Sequence, residues 1–459
     1  MSRRRTALRA QLMKSSIVAD THSDSVGIVR RIYGNLGLLL GGKAAAGLIS
    51  LIYIVIAARM LGPQDYGVLV LINYYAMLVG GLIAFPGWHA IVRYGVKALA
   101  ASDEAKLVRL LRFVGAIEVA GGVAAVIVAG TLAPILGPRL GWNAEAQMLA
   151  IPYSLAVLAT VRATPGGYLQ ILRRFDILGA HNIVTPVMRL IGTLIVVAFG
   201  WGLSGFIIAW LIAALAEGVS LWIAGIYFAR RHLVGQPLLG NIKDVRPEHP
   251  GLMRFMVTAN ADIMLGDLVT RATPLVMGWV LGPVAAGLYS IAHRTTVVIA
   301  QPAQILGQAA YAELARLVAG GGSGLDIRHA LMRCIGISLI AAIPIVVILA
   351  FFSKQITILI AGPAYAAAAG VMIWLAVARV IALTSPPTSA ALIALGRPGL
   401  SVTSNFTTSI GLLPLLPILT VYWGIQGAGM HAVLQALFGS ALLGIFLWGT
   451  TNDRDPKLA

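Results

Sequence analysis

The chain has 459 residues, 58% of them hydrophobic and only 11% charged, with a formal net charge of +17. Ordinary soluble domains are about 25% charged, so a mean hydropathy of +0.86 excludes a soluble protein and places the chain in a membrane. The basic excess has no nucleic-acid module to sit on and reads instead as loop charges that hold a membrane protein's orientation, while the single cysteine, Cys334, excludes an intrachain disulfide and a Cys-rich metal site.

In chain order, residues 1–29 are polar and basic (Arg3, Arg4, Arg5, Arg9, Lys14) with no apolar core before Ile32. They predict a cytoplasmic tail and not a cleavable signal. About twelve apolar runs then follow, each near the ~20 residues a helix needs to cross a bilayer. They lie at 32–58, 67–92, 110–135, 146–171, 176–200, 204–229, 254–280, 287–312, 329–352, 366–393, 400–423 and 427–449. The longest break, 230–253, holds Arg230, Arg231, Lys243, Asp244, Arg246, Pro247 and Pro250 and reads as a linker. The predicted organisation is therefore a tail (1–29), a six-helix unit (30–229), a cytoplasmic linker (230–253), a second six-helix unit (254–450) and a C-terminal tail (451–459).

The two units repeat one another. Leu61-Gly62-Pro63-Gln64-Asp65-Tyr66-Gly67 is answered 220 residues later by Leu281-Gly282-Pro283-Val284-Ala285-Ala286-Gly287. Gly-Pro between two apolar runs predicts a tight helical hairpin in each. Gly137-Pro138 pairs with Gly362-Pro363, Leu172-x-Arg174 and Asn182 with Leu395-x-Arg397 and Asn405, and Gly205 with Gly427, at offsets of 222 to 225. Internal duplication on this scale is a signature of transporters.

Basic residues set the orientation. Twenty-five of the 34 Lys and Arg fall in the tails and in the loops on the N-terminal side, against three (Arg59, Arg139, Lys354) on the far side. This predicts both termini in the cytoplasm. The far-side loops are short, with no room for the external domain a lipid-linked-sugar polymerase or ligase uses. No GxxxxGK[ST] motif is present, which argues against ATP hydrolysis by this chain.

Six basic residues fall inside the apolar runs: Lys43, Arg162, Arg189, Arg271, Arg294 and Arg379; the acids there are Glu118, Glu217, Asp262 and Asp267. A charge at a helix centre costs at least ~2.5–3.5 kcal/mol, so these are the candidate functional residues. Asn260, Asp267, Arg271 and Gly278 share one face of the seventh helix, as a cavity stripe or as an internal Asp267–Arg271 ion pair. Arg294, Gln301, Gln304 and Gln308 share a face of the eighth, facing a cavity or another helix. Lys43 sits mid-run beside Gly41, Gly42 and Gly47. Arg162 and Arg189, placed near run ends, read as snorkelling side chains, and Arg379 as a deeper one. The basic excess favours an anionic ligand. No residue signals a cofactor, and His89, His181, His293 and His431 show no metal spacing.

The run Ala57-Ala58-Arg59-Met60-Leu61-Gly62-Pro63-x-x-Tyr66-Gly67 resembles the first hairpin of bacterial polysaccharide flippases. So does the run Leu281 to Ser290, with Tyr311-Ala312-Glu313-Leu314-Ala315-Arg316 closing the next helix, and Gly362-Pro363-Ala364-Tyr365 with its following alanines resembles the family's ninth-to-tenth turn. The family is the polysaccharide transporter branch of the multidrug/oligosaccharidyl-lipid/polysaccharide exporter superfamily, and the resemblance runs from about residue 30 to 450. The departure is Arg59, isolated on the far side.

The resemblance implies an all-α polytopic protein with two six-helix lobes around a central cavity. It implies a bacterial inner-membrane flippase for undecaprenyl-diphosphate-linked oligosaccharide, in O-antigen or exopolysaccharide assembly, working by alternating access and not an enzyme. Polysaccharide polymerase and chain-length proteins are the implied partners besides membrane lipids. On this reading Lys43, Arg271, Arg294, Arg379, Gln301 and Gln304 line the diphosphate and glycan cavity, Asp267 and then Asp262 couple an ion, and Gly62, Pro63, Gly67, Gly282, Pro283 and Gly287 build the hairpins. The alternatives are a multidrug antiporter of the same superfamily, which the basic excess opposes, and a peptidoglycan-precursor flippase, whose two additional helices have no runs here. The polymerase or ligase alternative fails on loop size.

Overall fold

The computed structural model describes residues 25–233, 235–237, 240, 245–297, 317 and 323–452. Among them every regular element is helical. Of the predicted tails, residues 25–29 and 451–452 are helical and the rest lie outside the described residues, as do Gln301, Gln304, Gln308, the Tyr311–Arg316 motif and the side chains of Asp262 and Asp267.

Helices α1 (25–61) and α2 (63–83) meet at Gly62, whose φ of 70° and ψ of 174° interrupt the helix. This backbone region is essentially restricted to glycine. The chain turns back there, because Tyr53 and Asn73, on opposite sides of Gly62, both bind the Arg189 guanidinium. A helix continued straight through would hold them about 30 Å apart. A short helix at 88–100 with a π-type turn at Ile91–Gly95 leads to α3 (Glu104–Leu136), started by the Asp103 carboxylate accepting from Lys106 N at 2.8 Å. Next come α4 (Ala144–Ile171), α5 (Phe175–Phe199) and α6 (Gly202–His232).

The second half opens with α7 (Leu252–Leu281) and α8 (283–297). Gly282 between them has φ 86° and ψ 176°, the conformation of Gly62. Then follow α9 (Gly324–Ala361), α10 (Ala368–Ala394), the bent α11 (Gly399–Gly411 and Leu415–Trp423, 45° apart) and α12 (Ile425–Asn452). Among the described residues eight helices are long and apolar enough to cross a membrane when the α1–α2 hairpin is counted once, from Gly41, and the bent α11 makes nine. The twelve predicted runs exceed this count because the hairpin holds two of them, α7 carries several charges, and α8 is described over only 15 residues.

The repeat extends to backbone geometry. Arg173 (φ 57°) and Gly396 (φ 77°) are left-handed at equivalent turns, each closed by a 2.9 Å bond, Arg174 N to Leu169 O and Arg397 N to Leu392 O. This is a Schellman-type helix end. One sequence pairing does not extend so far: Gly362 has φ 96° and ψ 171°, like Gly62 and Gly282, while Gly137 is right-handed helical.

The halves meet at the end of the bundle that carries the hairpins. Gly67 lies under the Pro283 carbonyl and Gly287 against the Pro63 carbonyl, so no side chain fits at either glycine. Around this reciprocal contact Tyr365 donates to Ala58 O at 3.1 Å, Tyr66 packs edge-on to Tyr365, Arg59 donates to Leu359 O, and Arg139 lies over Trp279 at 5.4 Å. At the opposite end a turn of helix, Val245–Glu248, docks on the first half. Glu248 holds Arg109 through both carboxylate oxygens, at 2.6 and 3.0 Å. Val245, His249, Leu252 and Met256 are buried there.

Candidate functional site

α4 is not a continuous helix. Its first section relaxes into a 3-10 stretch, Ser154–Thr160. The chain is then unwound at Val161 and Arg162, and a second section runs from Ala163 to Ile171. Pro165, Gly166 and Gly167 follow the break, and proline is tolerated only in a helix's first turn. Two other helices satisfy the freed backbone groups. Glu118 of α3, fully buried, accepts from Ala163 N at 2.5 Å and Thr164 N at 2.8 Å, and Trp222 of α6 donates to Val161 O at 2.6 Å. A carboxylate at a helix N-terminus is favoured by the orphan N–H groups and by the helix dipole.

The break aims Arg162 sideways, where it pairs with Glu217 of α6. Arg162 also lines a cavity of about 180 Å³ between the halves, together with Gly80, Gly81, Thr160 and Arg271 of α7. Arg271 packs on Gly81 and donates to Met77 O at 2.5 Å. Two guanidinium groups from opposite halves thus share one small cavity. Discontinuous membrane helices lining a cavity are the usual construction of transporter binding sites.

Arg189 corrects the snorkelling expectation. Its side chain is 8% exposed, donating to Asn73 Oδ1 at 2.9 Å and lying 4.0 Å over the Trp210 ring. Tyr153 donates to the same Asn73 oxygen at 2.9 Å. Arg162 is corrected too, since it is held by a carboxylate partner at a helix break. Arg294 projects from α8 with an exposed surface, in electrostatic range of Tyr53, Tyr66 and Tyr74. Lys43 is exposed on α1; it shares a helix face with Ser50 and Ile54, seven and eleven residues on.

Arg379 stands apart. It lines a second cavity, of about 260 Å³, enclosed by α7, α8, α10, α11 and α12. Its Nη2 donates to His293 Nε2 at 2.9 Å, and His293 stacks on Tyr289. The described residues thus bring Arg271 together with Arg162, place Arg294 by the α1–α2 tyrosines, and put Arg379 elsewhere. The Arg162–Glu217 pair and the Glu118 cap were missed in the sequence. The readable signal was Pro165-Gly166-Gly167 inside an apolar run.

The family model described as "Polysaccharide biosynthesis protein" matches residues 56–370. The inner membrane protein YghQ of Escherichia coli (strain K12) is 26% identical over 291 residues, which is 63% of this chain and 82% of that protein. Among solved structures, an inward-facing multidrug resistance MATE family transporter of the MOP superfamily superposes with a TM-score of 0.70 at 14% identity, covering 89% of this chain and 96% of its own. The lipid II flippase MurJ, in an inward closed conformation, gives 0.70 at 14% identity over 90% of each chain. The fold is therefore the one these transporters share, and with more than half of its length matched the chain belongs to the polysaccharide biosynthesis protein family.

Proposed function

We propose that the protein is a flippase that carries undecaprenyl-diphosphate-linked oligosaccharide across the inner membrane by alternating access of its two halves. The observation that carries this reading is the cavity between the halves, where Arg162 and Arg271 converge. A diphosphate requires clustered cations, and guanidinium groups present forked donors that match phosphate oxygens. A phosphate entering the cavity replaces Glu217 as the partner of Arg162. Arg294 and Lys43 add positive charge along the path, and Asp267 and Asp262 are the coupling acids proposed on α7.

The family match and the fold shared with a lipid-linked-substrate flippase support the same reading. The sealed hairpin end fits a state whose cavity opens toward the linker end, which the loop charges assign to the cytoplasm. The isoprenoid tail stays in the bilayer, so the chain is a carrier and not an enzyme. The test is the leaflet position of lipid-linked oligosaccharide in a deletion strain. Repeat units trapped on the cytoplasmic face, restored by the wild type but not by Arg162→Gln or Arg271→Gln, are expected. Repeat units reaching the periplasm in the deletion strain would overturn the reading.

A further inference from the structure

The cavity around Arg379 differs in chemistry from the cavity around Arg271. We propose that it is a carbohydrate pocket, which receives the sugar portion of the carried molecule. This rests on the flippase reading and extends it. The pocket's polar groups come from several helices: Arg379 from α10, Asn405 and Thr408 from α11, and Gln435 from α12. Among the described residues neither the Asn405 nor the Gln435 amide has a protein partner. The Thr408 hydroxyl is buried, with the residue 6% exposed, and is likewise without a partner.

Polar groups at membrane depth carry a desolvation cost of several kcal/mol unless something satisfies them. The buried Thr408 hydroxyl carries that cost, while the half-buried Gln435 and the exposed Asn405 are open to a hydrated ligand. Amides and a hydroxyl both donate and accept, as adjacent sugar hydroxyls do. Beside these and further hydroxyl and imidazole groups, Leu375, Ala378, Ala428 and Leu443 supply an apolar surface for the C–H face of a sugar ring. A lipid chain would leave the amides unsatisfied, and a phosphate would meet one guanidinium, already donating to His293.

Position supports the assignment. Thr270 lines this pocket and its neighbour Arg271 lines the other cavity. Successive residues on a helix point about 100° apart, and the helix with its side chains is roughly 10 Å across. The two cavities therefore lie on neighbouring faces of α7.

The test uses the full-length protein in nanodiscs and saturation-transfer NMR. The probes are soluble disaccharides built from hexose, N-acetylhexosamine and hexuronate units. Wild type should saturate at least one of them. Asn405→Leu, Gln435→Leu and the cavity-filling Ala432→Phe should reduce the transfer at least fivefold, while Ile223→Ala, exposed on α6 and lining neither cavity, should leave it intact. Thermal unfolding of each variant separates lost binding from lost fold, and a variant that unfolds is replaced by Thr408→Val. No saturation in a wild-type protein that still moves lipid-linked oligosaccharide overturns the pocket alone. So does equal saturation in all the pocket variants. Saturation lost in the pocket variants, from a protein without leaflet activity, keeps the pocket and removes the flippase reading.

Discussion

Arg189 is buried with no carboxylate partner among the described residues, and its charge is met by the Trp210 face, Tyr53 and Asn73. A desolvated cation–π contact and a charged hydrogen bond are each worth about 2 kcal/mol. Arg189→Leu is therefore expected to destabilise the purified protein by about 2–4 kcal/mol, seen as a lower midpoint of thermal unfolding. Glu118 is also structural: Glu118→Ala removes the cap of the second section of α4 and should cost about 1–2 kcal/mol, with faster hydrogen exchange at Ala163 and Thr164. His249, outside the membrane-spanning helices, has its pKa lowered from the usual value by burial and then by Lys106, with Glu248 opposing. Its neutral form is the docked one. The contribution to linker docking is thus complete above about pH 6.5 and is lost as the pH falls through the lowered value. Protease cleavage within 234–252 should rise between pH 7.5 and pH 5, and His249→Gln should flatten that dependence.

At the scale of elements, the hairpin glycines are the most sensitive positions. Gly282→Ala forces a side chain into a backbone region that costs about 1–3 kcal/mol, so the variant should unfold earlier, and Gly62→Ala similarly. Gly67→Val should act differently, since its added atoms collide with the Pro283 carbonyl and hold the halves apart. Most elements were legible in the sequence, because a bilayer demands long apolar runs and Gly-Pro punctuates them. The interruption of α4 was not read, since the run 146–171 is apolar enough overall to suggest one straight helix. The face on which Arg189 lies was not readable either: in an apolar helix without amphipathic contrast, periodicity does not say which side meets protein.

At the scale of the whole molecule, alternating access requires the hairpin end to part. With Cys334 replaced by Ser, an Arg59→Cys, Leu359→Cys pair should be joined by a short, reductant-cleavable bifunctional thiol reagent, since the Arg59 guanidinium reaches Leu359 O across this end. The cross-linked protein should lose transport, and reductant should restore it; full transport while cross-linked would show that this end stays shut throughout the cycle. The cations of the candidate site were legible as residues but not as groups. Arg162 and Arg271 are 109 positions apart, and only the packing of α7 on the first half brings them together. The docked linker has one more consequence. By descent α7 belongs to the second repeat, but it is attached to the first as well. It is anchored through Met256 at the linker end, through Arg271 to Met77 O, and through Gly278 on Leu71. Its other side faces the pocket of Arg379 and is tied to α11, where Thr420 Oγ1 donates to Met277 Sδ. A rod with a cavity on each flank acts as a partition wall, so one small roll of α7 should widen one chamber as it narrows the other.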